Sequence, residues 1–294
     1  MRSDMLLQIV ERFDRGLFVG PGQLDPFTIV GTERWIGLPH DPQNGVSVML
    51  EHNQNIPVHR LPVSWRLPSR TDHLRAFYPF THFTAGTGER ALEFRTAGFA
   101  RTDLDETLAQ AFATGWALHE LRRQHVPRTD TETLQTAADL AGRLLDRGAV
   151  ATCERHHGGR PLEPGDIAIG VAHRDQADLV RAALARTGSP GAPGVAVDTA
   201  NRLQGREFEV VIVVHPLSGR RDATAFHLEA GRLCVLASRH RQACIVVARE
   251  GIADLLDSHP STDPVHLSVR AKFPDGWEAN QIMLDKLAQH RVAA

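Results

Sequence analysis

The sequence predicts an α/β fold in which helices flank a parallel β-sheet. Residues 210–214 are apolar throughout, which is typical of a strand buried on both faces of such a sheet. Strand-like segments also alternate with helical ones, as where residues 166–171 precede the amphipathic segment 174–186. With 294 residues, of which 42% are hydrophobic, the chain is long enough to bury a core as one large or two modest domains.

The first hundred residues are predicted to hold short, widely spaced elements. An amphipathic helix is predicted over residues 4–14, and a short buried strand over 16–20 that ends at Pro21-Gly22. Residues 20–45 are rich in Gly, Pro and Asp, which favours a loop. The later elements are an extended or helical piece from 46–50, an extended segment at 61–68 that enters a short helix, and a connector at 79–100.

The remainder of the chain is more regular. Helices are predicted over residues 103–125 and 130–147, and Gly148 is expected to end the second. The elements that follow are a strand at 166–171, a helix at 174–186, strands at 194–197 and 210–214, a helix at 224–239 and a strand at 244–248. A short helix and loops are expected beyond residue 250.

Composition excludes several classes of protein. The formal net charge of -2 provides no global basic field, so any contact with nucleic acid has to be local. Basic charge is nearly all arginine, since Lys272 and Lys286 are the lysines of the chain. Three widely spaced cysteines argue against a disulfide framework and for a reduced intracellular protein. Because no apolar run approaches the ~20 residues that span a bilayer, we expect a soluble, cytoplasmic protein without a membrane partner.

The most specific pattern lies in two segments, residues 197–214 and 231–248. In the first, Asp198-Thr199 ends one predicted strand and Gln204-Gly205-Arg206-Glu207 precedes the next. In the second, Ser238-Arg239-His240-Arg241 precedes an apolar run. These segments resemble motifs V and VI of superfamily 1 helicases. Without that resemblance, the first reads as a generic strand-loop-strand and the second as an arginine-rich amphipathic helix with a solvated face.

Two earlier segments resemble other motifs of the same family, in the family's order. Gly20-Pro21-Gly22-Gln23-Leu24 is similar to motif III, which usually reads Gly-Asp-Pro-x-Gln-Leu, although the Asp is absent here. Ser64-Trp65-Arg66 is similar to motif IV. From the residues alone, the first segment is an ordinary strand and turn, and the second is an arginine that packs beside a tryptophan at the surface.

The resemblance implies a RecA-like parallel sheet flanked by helices, and roles in phosphoryl transfer for three residues. Arg239 would be the arginine finger that neutralises charge on the transferring phosphoryl group. Arg66 would approach the γ-phosphate, because a guanidinium suits the planar arrangement of phosphate oxygens. Gln23 would sense the γ-phosphate. ATP and Mg²⁺ are the cofactors that the full-length family implies.

Four further residues would bind ligands by the same resemblance. Glu207 would contact the nucleotide, Gln176 would contact the nucleotide or brace the cleft, and Gly205 would permit close approach of the backbone. Thr199 would contact a phosphate of nucleic acid through its hydroxyl and backbone. Single-stranded DNA or RNA is therefore the implied partner.

The sequence contains no P-loop, which needs a Gly-Lys pair, because Lys272 follows Ala271 and Lys286 follows Asp285. The chain thus resembles the C-terminal part of a helicase. Residues 1–90 would be a remnant of the first RecA-like domain, 91–260 the second such domain, and 261–294 a C-terminal tail. A missing N-terminal motor domain would then be a partner. ATP and Mg²⁺ are not demonstrably held by this chain, and we expect it alone neither to hydrolyse ATP nor to unwind a duplex.

Two other functions stay open: a non-enzymatic nucleic-acid-binding or regulatory module, and a non-functional truncated fragment. Weaker patterns point elsewhere. The segment 153–157 has zinc-like ligand types but no second ligand pair, so it reads as a solvated loop. Gly86-Thr87-Gly88 fits a loose dinucleotide fingerprint without a preceding strand, and His119-Glu120 lacks the second His of a metalloprotease helix.

Overall fold

The computed structural model describes residues 63–68, 74, 84–88, 90–95, 100–259 and 276–294. The predicted helix at 4–14, the strand at 16–20, the loop at 20–45, the piece at 46–50 and Gln23 lie outside the described residues. What the sequence predicts for the first sixty residues therefore stays a prediction.

The main feature of the fold is a six-stranded sheet in which every neighbouring pair is parallel. Its strands, in chain order, are β4 (Trp116–Leu121), β7 (Ile167–Val171), β8 (Ala196–Thr199), β9 (Phe208–Val214), β10 (His240–Arg249) and β11 (Arg291–Ala293). Their spatial order is β11-β4-β10-β9-β7-β8. Since β9 and β10 stand in the middle, they are buried almost throughout, as their continuous apolar runs predict.

Two smaller sheets accompany the main one. The strands β1 (Val63–Ser64) and β2 (Thr84–Ala85) form a parallel pair. The strands β3 (Ala91–Phe94), β5 (Ala149–Cys153) and β6 (His156–Pro161) form an antiparallel sheet in the order β3-β5-β6. The connector predicted at 79–100 therefore contains two short strands.

Helices cover both faces of the main sheet. They are α1 (Asp103–Thr114), α2 (Thr131–Asp146), α3 (Arg174–Arg186), α4 (Ala200–Leu203), α5 (Ala225–Leu228), α6 (Ala230–Ala237), α7 (Ile252–Ser258) and α8 (Gly276–Ala288). Short 3-10 turns precede β7 at Pro164–Asp166 and β8 at Ala192–Gly194. This arrangement confirms the predicted fold class, a RecA-like parallel sheet between helices.

The two faces of the sheet carry separate cores, because side chains alternate along each strand. In β9, Val211 and Val213 face the core formed with α4, α6, α7 and α8. Val210, Ile212 and Val214 face the core formed with α1, α2 and α3. Each face of β9 is therefore closed by a helical layer, which is what an open parallel sheet needs to exclude water.

The helix predicted at 103–125 is wrong in its second half. The helix α1 ends where Gly115 adopts a left-handed conformation, with φ of 85°, and donates its amide to the Ala111 carbonyl. The next residues form β4, which pairs with β10 on one side and β11 on the other. Burial between two strands thus outweighs the helical periodicity of this segment.

Three other predictions need correction. The helix predicted at 224–239 is two helices, α5 and α6, that meet at Glu229, and Arg239 lies beyond the end of α6. The segment 153–157, predicted as a solvated loop, is exposed over residues 154–157 as expected, but residues 153, 156 and 157 belong to the strands of the β5–β6 hairpin. The region beyond residue 250 contains not only α7 but also α8 and β11, which joins the edge of the main sheet.

Candidate functional site

The predicted site residues divide between the two edges of the main sheet. We call the edge where its parallel strands begin the amino edge, and the edge where they end the carboxyl edge. Arg239 and Glu207 directly precede β10 and β9, so they lie at the amino edge with Gly205. Thr199 ends β8, and Gln176 lies in the first turn of the helix that follows β7, so both lie at the carboxyl edge.

At the amino edge, Arg239 and Glu207 are held by the starts of neighbouring strands. The amide of Phe208 donates to the carbonyl of Arg239 at 3.0 Å. The guanidinium of Arg241 donates to the Glu207 carboxylate through Nε at 3.0 Å and Nη2 at 2.8 Å. Glu207, the predicted nucleotide contact, is therefore already paired with an arginine of the second motif segment.

Arg239 itself is completely buried, at 0% exposure. Its Nη2 donates to the hydroxyl of Ser238 at 2.9 Å. An arginine finger has to reach a phosphoryl group, so this position satisfies the predicted role only after Arg239 becomes accessible. Arg66 is similarly buried, at 9% exposure, whereas the neighbouring Trp65 is 73% exposed.

The segment that carries Arg66 reaches the same edge through Arg90. The guanidinium of Arg90 donates to the carbonyls of Arg66 and Arg241, the latter at 3.2 Å. The structure therefore brings the segments that carry Arg66, Arg239 and Glu207 together at the amino edge. Gly205 stands nearby with φ of +80°, exposed, and with no heavy atom within 4 Å of the position a Cβ would take. A ligand could approach its backbone closely.

At the carboxyl edge, Thr199 is directly opposite Val171, the last residue of β7. It is the N-cap residue of α4, and its amide donates to the Asp198 carboxylate at 2.9 Å. Gln176 is engaged locally: its side-chain carbonyl accepts from the amides of Ala172 and His173 at 3.1 and 3.0 Å. Its side-chain NH₂ donates to the Arg128 carbonyl at 2.8 Å. Gln176 thus caps α3 and fixes a neighbouring loop.

A cluster of aromatic and imidazole rings lies on the same edge, where His173 follows β7 and α5 follows β9. The Nε2 atoms of His173 and His227 are 3.2 Å apart, so one ring donates and the other accepts. His227 also bonds the Thr224 hydroxyl through Nδ1 at 2.7 Å. Burial lowers the pKa of His227 to about 4, so the pair is neutral at pH 7. Phe226 stacks on His173 and lies under the guanidinium of Arg232.

The carboxyl edge also carries exposed arginines that sequence reasoning did not single out. They follow successive strands: Arg122 after β4, Arg174 after β7, Arg202 after β8 and Arg221 after β9. Arg202 lies 3.8 Å from Asp198, and within the described part of the chain the other three make no ion pair. For Arg174, Arg202 and Arg221, the signal that could have found them is an arginine that follows a predicted strand. Arg122 gave no such signal, because β4 was predicted as part of a helix. Such guanidinium groups suit a phosphate backbone.

Among the residues that the structure describes, no group of three or more His, Cys, Asp or Glu side chains is arranged to hold a metal ion. His119, which the sequence places before a glutamate, lies inside β4 and bonds the Thr107 hydroxyl at 2.8 Å. Burial lowers its pKa, so it is a neutral core residue. Within the same residues, no helix combines the length and the apolar character that a membrane span requires.

Comparison with known proteins finds one family for part of the chain. Residues 129–251 match a family model described as an AAA domain. The matched segment starts just before α2 and ends just after β10, and thus includes both motif segments and the centre of the main sheet. No curated protein matches the chain.

Proposed function

We propose, from the match of residues 129–251 to a helicase-like P-loop NTPase class, that this chain is the arginine-bearing half of a superfamily 1 helicase-like ATPase. The observation that carries the proposal is the convergence of Arg66, Arg239 and Glu207 at the amino edge, from three separate segments of the sequence. In this role Arg239 and Arg66 would neutralise charge on the phosphates of a nucleotide. Glu207 would exchange its partner Arg241 for the nucleotide.

The same proposal assigns the carboxyl edge to nucleic acid. Thr199 and the exposed arginines after β4, β7, β8 and β9 lie there, at the edge of the sheet opposite the one that carries Arg66 and Arg239. Contacts of this kind bind the backbone of DNA or RNA without reading its sequence. One sheet would therefore present a nucleotide surface at one edge and a nucleic-acid surface at the other.

The chain alone is expected to give no ATP hydrolysis above buffer. Its sequence has no Gly-Lys pair to form a P-loop, and the P-loop backbone, its lysine and Mg²⁺ supply most of the charge neutralisation. The measurement is phosphate release from Mg·ATP in the presence of single-stranded DNA or RNA, with Arg239→Ala measured in parallel. Robust turnover by the wild-type chain that Arg239→Ala abolishes would contradict this expectation.

Thr199→Val is expected to weaken binding of a fluorescent single-stranded oligonucleotide by about three- to tenfold, the loss of roughly one hydrogen bond. Thr187→Val is the matched control, because Thr187 ends α3 and donates its hydroxyl to the Leu184 carbonyl. Fluorescence anisotropy at several salt concentrations measures both affinities and their salt slope. Equal affinities for Thr199→Val and Thr187→Val would exclude Thr199 from the interface.

A non-enzymatic nucleic-acid-binding module is a second candidate, and one observation favours it. Arg239 and Arg66 are buried, at 0% and 9% exposure, whereas the carboxyl-edge arginines are exposed. If the chain binds oligonucleotides but Arg239→Ala and Arg66→Ala leave its affinity for polyphosphate unchanged, this second function is the correct one.

A further inference from the structure

Arg90 holds together parts of the amino edge that are far apart in the sequence. Its side chain is 5% exposed. Its guanidinium donates to three backbone carbonyls, those of Trp65 at 3.3 Å, Arg66, and Arg241 at 3.2 Å. The first two carbonyls belong to the segment that resembles motif IV, and the third belongs to the start of β10.

Arg90 also forms a two-point ion pair with the hairpin turn. Its Nε donates to Glu154 Oε2 at 3.1 Å, and its Nη2 donates to Glu154 Oε1 at 2.7 Å. The hydrogen bonds from Arg90 lower the pKa of the Glu154 carboxyl to about 2. Glu154 is therefore ionised at any pH at which the protein is handled, and it orients the guanidinium toward the carbonyls.

Only an arginine can make this set of contacts, because its planar fork presents five N–H donors in fixed directions. The partners are backbone carbonyls on either side of the predicted phosphate-binding residues: Arg66 itself, and Arg241 two positions after Arg239. Loss of Arg90 would leave those carbonyls without a shared donor. The segment 63–68 would then be joined to the amino edge less firmly, while the main sheet would keep its own hydrogen bonds.

We propose that Arg90 is a positioning residue that fastens the Arg66 segment to the start of β10, so that Arg66 and Arg239 are held at one edge. The inference rests on the proposed function, since the placement of the two arginines matters for activity only if they act on phosphate. The sequence alone did not indicate this positioning role for Arg90.

Hydrogen exchange measured by mass spectrometry tests whether Arg90 fastens the segment 63–68 to the amino edge. Arg90→Met keeps the length of the side chain but removes its donors. It is expected to speed exchange of the amides of Leu67 and Gly86, which bond Ser64, by about tenfold or more, while β9 stays protected. Arg155→Met is the matched control: Arg155 is an exposed arginine of the same hairpin turn, and its loss should change exchange little. Unchanged exchange in Arg90→Met would overturn the proposal.

A double-mutant cycle tests the functional part with inorganic tripolyphosphate as the probe. Arg90→Met is expected to weaken tripolyphosphate affinity by about tenfold in the wild-type background and not at all in the Arg66→Ala background, because Arg90 acts through Arg66. Arg90→Lys keeps the charge but not the fork and should restore only part of the affinity. Titrations followed by NMR suit the weak binding that is expected.

The outcomes separate the two claims. Additive effects of Arg90→Met and Arg66→Ala would show that Arg90 does not act through Arg66, which overturns the positioning role. If the wild-type chain binds tripolyphosphate no better than Arg66→Ala does, the proposed function fails, and hydrogen exchange alone then decides whether Arg90 fastens the segment.

Discussion

Replacing Arg249 with Met is expected to lower the free energy of unfolding by about 3–5 kcal/mol. Arg249 ends β10 with a side chain that is 2% exposed. Its Nε donates to Asp130 Oδ2 at 2.6 Å, its Nη2 donates to Glu132 at 2.5 Å, and its Nη1 donates to the Arg122 carbonyl at 3.0 Å. Methionine would fill most of the space but leave the carboxylate of Asp130, which is 11% exposed, without its cation.

The loss would spread to a second element because Asp130 is also the N-cap of α2. It accepts from the amide of Glu132 at 3.2 Å and from the Thr133 hydroxyl. Burial tends to raise the pKa of Asp130, but the hydrogen bonds from Arg249 and Thr133 outweigh burial and lower it. Without Arg249 the cap would carry a charge that the site no longer stabilises.

Urea denaturation followed by circular dichroism measures this change, provided that the m-value stays constant. Arg123→Met is the matched control, because Arg123 lies next to Arg122 in the loop after β4 but forms an exposed pair with Asp254. The side chains of that pair are 53% and 63% exposed. That variant should lose less than about 1 kcal/mol. A loss for Arg249→Met no larger than that of Arg123→Met would show that the buried network contributes little.

Asp105→Asn is expected to have a comparable effect, about 3–5 kcal/mol at neutral pH. The carboxylate is 2% exposed and lies 2.7 Å from both Arg143 and Arg147. It also accepts from the amide of Thr102 at 3.1 Å, which completes the cap of α1. Asparagine keeps the shape but not the charge, so two arginines that join α1 to α2 would lose their common anion.

The pH dependence gives a second readout for Asp105. Hydrogen bonds from Arg143, Thr102 and Arg147 outweigh burial and hold the pKa of Asp105 well below its usual range. A lowered folded-state pKa contributes stability that is complete above the unfolded value of about 4 and is lost as the pH falls further. The difference between wild type and Asp105→Asn should therefore be constant near pH 7 and shrink below about pH 4.

Asp178→Asn provides the comparison, since Asp178 is 77% exposed and pairs with Arg181 in the next helical turn. It should change stability by less than about 1 kcal/mol at any pH. A stability difference between wild type and Asp105→Asn that persists unchanged into acid would mean that the carboxylate charge is not the source of the effect.

Helices and strands were predictable where the sequence has either a clear helical periodicity or a continuous apolar run. The helix α3 has the bounds predicted from its periodicity, and β9 was evident from its unbroken apolar run. The strand β4 was missed because its residues continue the apolar spacing of α1, and its identity depends on pairing with β10 and β11, which come more than a hundred residues later. Pairing with such distant residues cannot be predicted from the local sequence.

The sequence indicated candidate site residues but not their arrangement. The sequence indicated Arg66, Glu207 and Arg239, and the structure brings them to one edge. It could not indicate that Arg239 is buried or that Glu207 is paired with Arg241, because both depend on tertiary packing. Arg90 escaped notice for the same reason, since its partners lie in distant segments.

The chain between Thr199 and Glu207 has a mechanical consequence. Because β8 and β9 are parallel, the backbone must return from one edge of the sheet to the other between these residues, and it does so with a single helical turn, α4, and one bend at Gly205. This tether has little slack. If the two edges bind as proposed, a displacement of Thr199 by nucleic acid would be transmitted along the backbone to Glu207. The conformational freedom of Gly205 would determine how large the resulting displacement of Glu207 is.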